Sequence, residues 1–445
     1  MAGAPTRRPP LVGGGLHRSL GLASLTFYGV GLILGAGIYS ILGDAAGVAG
    51  DALWMSFLLG SLAALLTGLS YAEMATLFPR AGAEYVYLRE AWPRLAWLPG
   101  TLGWVLVVAG MATAATVALA FAGYARLVVV APAWLIAGAL LLAVAGLNLV
   151  GVREASWVNA AFTLVEASGL VALIIVGARQ PDFWRVFSTA PHPGVLTGAG
   201  LIFFAYLGFE DIANLAEEAR DPGRDIPRAI LIAVVVSTTL YVLVAAASVA
   251  LLDPALLAAS GSPLADAMRA GAPRLAGALG GVALFATANT ALITITAASR
   301  LIFGMARGGD APTIFGSTLP QRGTPGAAIL VAGAGALAFL PLGRIALVGG
   351  VASLLALLAF AAVNAAVMRL RFTRARDIRP FRVPLSLGGV PIPAVAGLLV
   401  VAVLMAQFEA ATYGVAAVAL AIAFVLQAIP WGGTASDVTK TPVRE

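Results

Sequence analysis

Gly29-Val30-Gly31-Leu32-Ile33-Leu34-Gly35-Ala36-Gly37-Ile38 puts four glycines into nine residues at the centre of an apolar run. Glycine weakens a helix interior by about 1 kcal/mol relative to alanine. The stretch therefore reads as a helix interrupted midway, or as a small-residue seam on which a neighbour packs. A second stretch favours interruption. Phe203-Phe204-Ala205-Tyr206-Leu207-Gly208-Phe209-Glu210-Asp211 carries a glycine and two carboxylates near the middle of another apolar run. A charge at mid-bilayer costs roughly 2.5 kcal/mol or more, and a packing seam has no use for Glu-Asp.

Around these two stretches the chain is apolar throughout. Of its 445 residues 60% are hydrophobic and 11% charged, against about 25% charged in an average soluble protein. The apolar runs are near 20 residues long, enough to cross a hydrocarbon layer about 30 Å thick. The fold class is thus an all-α, multi-pass membrane protein. Twelve spans are predicted, near residues 20–48, 52–77, 98–124, 132–151, 154–178, 194–220, 227–252, 276–306, 325–342, 344–369, 391–408 and 411–430. No cysteine occurs, which excludes disulfides and thiolate metal sites, and His17 and His192 both lie outside the runs. A secreted disulfide scaffold, a nucleic-acid module and an ordinary cytosolic enzyme are excluded. No cleaved signal peptide is expected at the N-terminus, which is Pro/Gly-rich with Arg7 and Arg8.

The net charge of +6 follows from loops that collect basic residues. With the N-terminus inside, only Arg126, Arg179, Arg185, Arg269, Arg274 and Arg344 of the 27 bases fall outside. The reverse orientation would invert that ratio, so both termini are predicted to be cytoplasmic, in the cell (inner or plasma) membrane. The interrupted spans are the first and the sixth. Five spans per repeat make the second copy run in the opposite direction, and matching interruptions in two halves point to an inverted-repeat transporter. The expected organisation is a tail 1–17, a first five-helix repeat 18–178, a second 194–370, a basic loop 371–390, two extra helices 391–430 and a tail 431–445.

Four segments resemble the amino acid–polyamine–organocation superfamily, in its bacterial branch related to cationic amino acid transporters. They are Gly35-Ala36-Gly37-Ile38, the loop Phe78 to Tyr87, the span 6 stretch Phe203 to Glu210 with its exit Glu217 to Pro222 and Pro227, and Ser299 to Arg307 with Pro312. The resemblance runs from about Leu20 to Pro384. It implies a five-plus-five inverted repeat, often called the LeuT fold, that moves amino acids and related amines by alternating access. It also implies that amides near Gly35, Ala36 and Gly37 hold the substrate carboxylate. Carbonyls near Ile33, Phe204 and Leu207 would hold its ammonium. Unwound backbone and half-helix ends offer that pair of partial charges.

Phe204 matches an aromatic gate over the substrate, or is an ordinary packed aromatic. Glu210 and Asp211 read as gating or coupling acids, or as caps of the second half-helix. Glu217 and Glu218 are expected to pair with Arg220, Arg224 or Arg228, and Glu73 with Arg80. Asn289, Thr290, Thr294 and Thr296 would line the pathway or bond helix to helix. The arginine-rich segment 369–382 reads first as a topogenic loop. Many relatives place a lysine in the run matching Asn159 to Glu166, where it is the suggested proton carrier. This chain departs from that pattern, its one lysine being Lys440. Glu166, the carboxylate close to the midpoint of span 5, is the expected substitute: protonated it donates to a freed span 1 carbonyl, ionised it repels it. A purely structural Glu166 and a sodium site are the alternatives.

An intramembrane enzyme lacks a nucleophile–base set here, and a channel would need polar stripes along several helices. The expectation is a secondary transporter with an amino acid as its small-molecule partner and the bilayer as its solvent. No cofactor, no metal and no nucleic acid are expected, and H+ is the expected coupling ion. Neutral amino acids come first as cargo, and cationic amino acids or polyamines second.

Overall fold

The computed structural model describes residues 18–80, 82–95, 97–151, 156–319 and 322–429, the side chains of 156–159 excepted. The predicted tails, with Arg7, Arg8, Lys440 and Arg444, and the loop residue Arg153 lie outside them. Among the described residues nine helical stretches are long and apolar enough to span a bilayer, the first being Leu22–Leu77. Gly326–Leu342 and Ile392–Met405 are shorter apolar helices.

The first stretch divides into α1 (Leu22–Leu34), α2 (Ala36–Ala49) and α3 (Leu53–Leu77). Then come α4 (Ala83–Ala91), α5 (Trp97–Ala125), α6 (Ala133–Val150) and α7 (Ser156–Gly177). The next run is α8 (Gly194–Ile202), a 3₁₀ turn at Phe203–Tyr206 and the single turn α9 (Asp211–Asn214). Beyond it stand α10 (Pro222–Leu251), the short α11 (Pro254–Ala259) and α12 (Pro263–Gly271), and α13 (Pro273–Gly308). The chain ends in α14 (Gly326–Phe339), α15 (Ile345–Thr373), α16 (Ile392–Met405) and α17 (Ala410–Ala428).

Helical amphipathicity cannot sort these elements, because lipid and protein interior are equally apolar. Burial does. The apolar windows of α5 and α15 are 72% buried and form the centre, whereas that of α17 is 22% buried and lies at the edge. Large apolar side chains such as Leu142, Val150, Leu164 and Val418 stand exposed on the outer helices. Such a belt suits hydrocarbon and would be an aggregation hazard in water. Inside, α3 and α15 are joined by a buried polar link: Ser70 donates to Asn364 Oδ1 at 2.6 Å, and Asn364 donates to Thr67 at 3.0 Å.

One end of the bundle is closed by the basic loop after α15, which ends in a short hairpin pairing Ser386–Leu387 with Val390–Pro391. Glu73, fully buried on α3, receives both Arg371 and Arg379 and the Val383 amide, the last at 2.8 Å. Arg379 also donates to the carbonyls of Leu370 and Arg374 at the end of α15, each of which accepts a backbone N–H as well. Arg369 donates to the Ala91 carbonyl at 2.6 Å, and Arg374 pairs with Glu90. The expectation that Glu73 pairs with Arg80 is therefore corrected: Arg80 lies 3.7 Å from Glu90. Arginines expected to serve topology are also the fasteners of this end.

Candidate functional site

The helix of span 1 stops at Gly35, whose φ of −45° and ψ of −151° fit neither α-helix nor strand, and restarts at Ala36. In span 6, α8 tightens into the 3₁₀ turn, Leu207 is extended, and Gly208 turns the chain with φ +118°, where only glycine is comfortable. The two breaks meet. A Cβ on Gly37 would lie 2.5 Å from the Ala205 Cα, and one on Gly208 would lie 2.9 Å from the Leu32 side chain. The glycines of span 1 thus serve both expected purposes, interruption and close packing: Gly37 packs on the other interruption, whereas Gly31 and Gly35 pack on Thr163 of α7 and Thr290 of α13.

Each freed backbone group can be followed. The Ala36 N–H donates to Thr290 Oγ1 of α13 at 2.9 Å, and the Gly35 N–H still reaches the Gly31 carbonyl at 3.1 Å. The first turn of α2 leaves further amides without helical acceptors. The Ile33 carbonyl accepts from the Tyr241 hydroxyl of α10, which also lies 3.1 Å from the Ala205 carbonyl. Tyr241 therefore bridges the two breaks. The Phe204 carbonyl accepts from Leu207 N–H at 3.4 Å, a weak bond. The buried Phe204 ring packs beside Gly349 of α15.

The carboxylates separate into two groups. Glu166 is buried on α7, where Tyr39 donates to its backbone carbonyl at 3.1 Å. Asn289 of α13 is its polar side-chain neighbour, and Glu166 Oε1 has no hydrogen-bond partner among the described residues. The freed Ile33 carbonyl is taken by Tyr241, and Glu166 meets span 1 through the bond from Tyr39 to its backbone carbonyl.

Glu210 accepts from the Gly208 N–H at 2.9 Å and so braces the span 6 turn. Asp211 accepts from Asn214 Nδ2 at 3.3 Å, and Asn214 Oδ1 in turn accepts from the Gly82 and Ala83 amides, capping α4. Beside them Glu84 accepts from Tyr71 at 2.9 Å, and burial pushes the Glu84 carboxyl up to about 7. At the end of span 6 the pairing expected of Glu218 with a nearby arginine is replaced by backbone contacts. Leu20 N–H donates to the Glu218 carbonyl at 3.0 Å, and Arg220 reaches the Ser19 carbonyl.

Span 8 also divides. Thr290 and Asn289 face the break and Glu166, whereas Thr296 bonds Asn148 of α6 at 2.5 Å and only ties helices together. Sequence reasoning missed Tyr241, one tyrosine inside an apolar span, and could not choose among the threonines.

The packing of Gly37 on Ala205 makes a specific expectation. Gly37→Val should weaken substrate binding at least tenfold while the helical circular-dichroism signal persists, because the side chain must push α2 off the span 6 break. Unchanged affinity would place the substrate elsewhere.

Comparison with known proteins places the chain among transporters of related sequence. The chain is 29% identical over 404 residues to a branched-chain amino acid permease of Bacillus subtilis, covering 85% of each chain. It is 30% identical over 395 residues to a methylthioribose transporter of the same organism, covering 83% of this chain and 84% of that one. A chloroplastic cationic amino acid transporter of Arabidopsis thaliana is 32% identical over 336 residues, or 69% of this chain and 58% of that one. The amino acid permease family profile matches residues 20–439. With two helix interruptions packed on each other in a multi-pass apolar bundle, and that match over nearly its whole length, the chain belongs to the amino acid permease family.

Proposed function

We propose that the protein is a secondary active transporter that takes up neutral amino acids with protons. Its twelve spans would form a five-plus-five inverted repeat working by alternating access, in the cell membrane with both termini cytoplasmic. The observation that carries this reading is the contact of the two interruptions, with Tyr241 tying the Ile33 and Ala205 carbonyls together. The amides at the start of α2 suit a carboxylate: that of Gly37, and those of Ala36 and Gly35 once they leave Thr290 and the Gly31 carbonyl. Carbonyls of Phe204 and Leu207, and that of Ile33 once Tyr241 releases it, suit an ammonium. Phe204 is the aromatic that closes over the bound molecule.

Two observations favour neutral cargo. The relative named for branched-chain amino acids aligns over 85% of both chains. Glu210 and Asp211, the acids that would attract a cationic side chain, are occupied by the Gly208 amide and Asn214. Proton coupling is placed on Glu166, the buried carboxyl that lacks a full set of partners. Glu210 and Asp211 act as braces of the gate. The test is uptake by the purified protein in liposomes, scanning all amino acids and several polyamines with and without imposed proton and sodium gradients. Leucine-like substrates driven by an inward proton gradient are expected. Selective uptake of arginine or a polyamine would replace this reading by the cationic one.

The orientation has its own check. The absence of native cysteine makes single-cysteine labelling unambiguous. Ala375→Cys and Ser317→Cys, both at exposed loop positions, should react with an impermeant thiol reagent only from the cytoplasm. Val130→Cys, fully exposed between α5 and α6, should react only from outside. The opposite pattern overturns the topology.

A further inference from the structure

At the end of the bundle opposite the basic loop, α2, α5, the α11–α12 connection and the start of α15 enclose a cavity of about 170 Å³. One water needs roughly 10–15 Å³ by the same kind of measure, and an apolar cavity near 150 Å³ holds a benzene-sized guest. The space is large enough for a small organic molecule. Its lining includes Tyr39, Ser40, Asp44, Ser260, Gly343 and Ile345.

Three observations point to a ligand. Asp44 makes no hydrogen bond or ion pair among the described residues, although it is the one charged side chain of the lining. A structural carboxylate in a half-buried place would be expected to hold a partner. Second, Arg344, itself not in the lining, sits between the lining residues Gly343 and Ile345 and acts electrostatically on Asp44, while its guanidinium is paired with Glu409 at 3.1 Å. Third, the wall is fixed in advance. Ser260 donates to Asp266 at 2.5 Å and accepts from the Ser262 amide at 2.9 Å. A Cβ on Gly43 would lie 2.6 Å from the Leu257 carbonyl, so α11 is seated directly on α2. Tyr39 closes the floor, and its hydroxyl reaches the Glu166 carbonyl beside the interruptions.

We infer that this cavity is an entry subsite for a zwitterionic amino acid, which rests its ammonium on Asp44 and its carboxylate on Arg344 before passing Tyr39 to the interruptions. The inference rests on the amino acid transport reading above. Opposite charges at one mouth match both ends of the zwitterion and orient it on arrival. Arg344 would exchange Glu409 for the ligand carboxylate, a replacement of one exposed pair by another and so of small cost.

The test is half-saturation for tritiated leucine in right-side-out and inside-out vesicles. Asp44→Asn should raise it about tenfold (~1.4 kcal/mol) when leucine is offered on the cavity face, and change it less than twofold from the opposite face. Asp44→Glu should recover most of the loss, and Arg344→Gln should reproduce the one-sided effect, which keeps the test open if Asp44→Asn folds poorly. Wild-type vesicles that take up no leucine would overturn the transport reading and the subsite with it. Wild-type uptake with an Asp44→Asn effect that is absent, or equal on both faces, would overturn the subsite alone.

Discussion

Glu73→Ala is expected to lower stability by about 3–5 kcal/mol, the cost of removing one partner from a buried ion pair. Glu73 is fully buried, and the Arg371 and Arg379 side chains are 2% and 7% exposed. Without the carboxylate, two guanidiniums and the Val383 amide lose their shared acceptor in a place water does not reach. The hairpin end of the basic loop should detach from α3, and the end of α15 should lose the hold of Arg379 on the Leu370 and Arg374 carbonyls. Arg80→Ala provides the contrast. That arginine is 63% exposed and 3.7 Å from Glu90, so its removal should cost less than about 1 kcal/mol. Unfolding by titration with a denaturing detergent would measure both, and equal effects would contradict the assignment.

The second large effect is expected at Glu166. Glu166→Gln keeps the shape of the side chain and its hydrogen-bonding to Asn289, and removes the ionisable group. Binding and exchange of leucine should persist within a few-fold. Accumulation driven by an inward proton gradient should vanish: one pH unit is worth ~1.4 kcal/mol, about tenfold accumulation per coupled proton, and the variant should reach only equal concentrations inside and out. A variant that concentrates leucine with wild-type pH dependence would show that Glu166 is structural. Concentration driven by sodium in the wild type would move the coupling to a different ion.

How far the sequence could be read depends on whether a feature is local. The interruption at Gly35 and the turn at Gly208 were legible because glycine and charge are out of place in a long apolar run. What those breaks touch was not legible. Tyr241 lies 208 residues from Ile33, and Arg371 lies 298 from Glu73. No periodicity connects such positions, and a nearby Arg80 was the natural but wrong partner for Glu73. The polar run of span 8 announced itself. The direction of each threonine depended on helix rotation, which uniform apolarity leaves undetermined. Glu166 was visible as an isolated carboxylate, whereas the hold of Tyr241 on the Ile33 carbonyl required the structure.

Recognition of the α-amino and α-carboxyl groups by unwound backbone is the central claim, and competition binding tests it most directly. Purified protein would be saturated with tritiated leucine and challenged with leucine, leucine methyl ester, N-acetyl-leucine and leucinol. Capping or deleting either charged group should weaken competition by about a hundredfold or more, since buried backbone partners would be left unpaired. Leucine methyl ester or N-acetyl-leucine competing as well as leucine would contradict it.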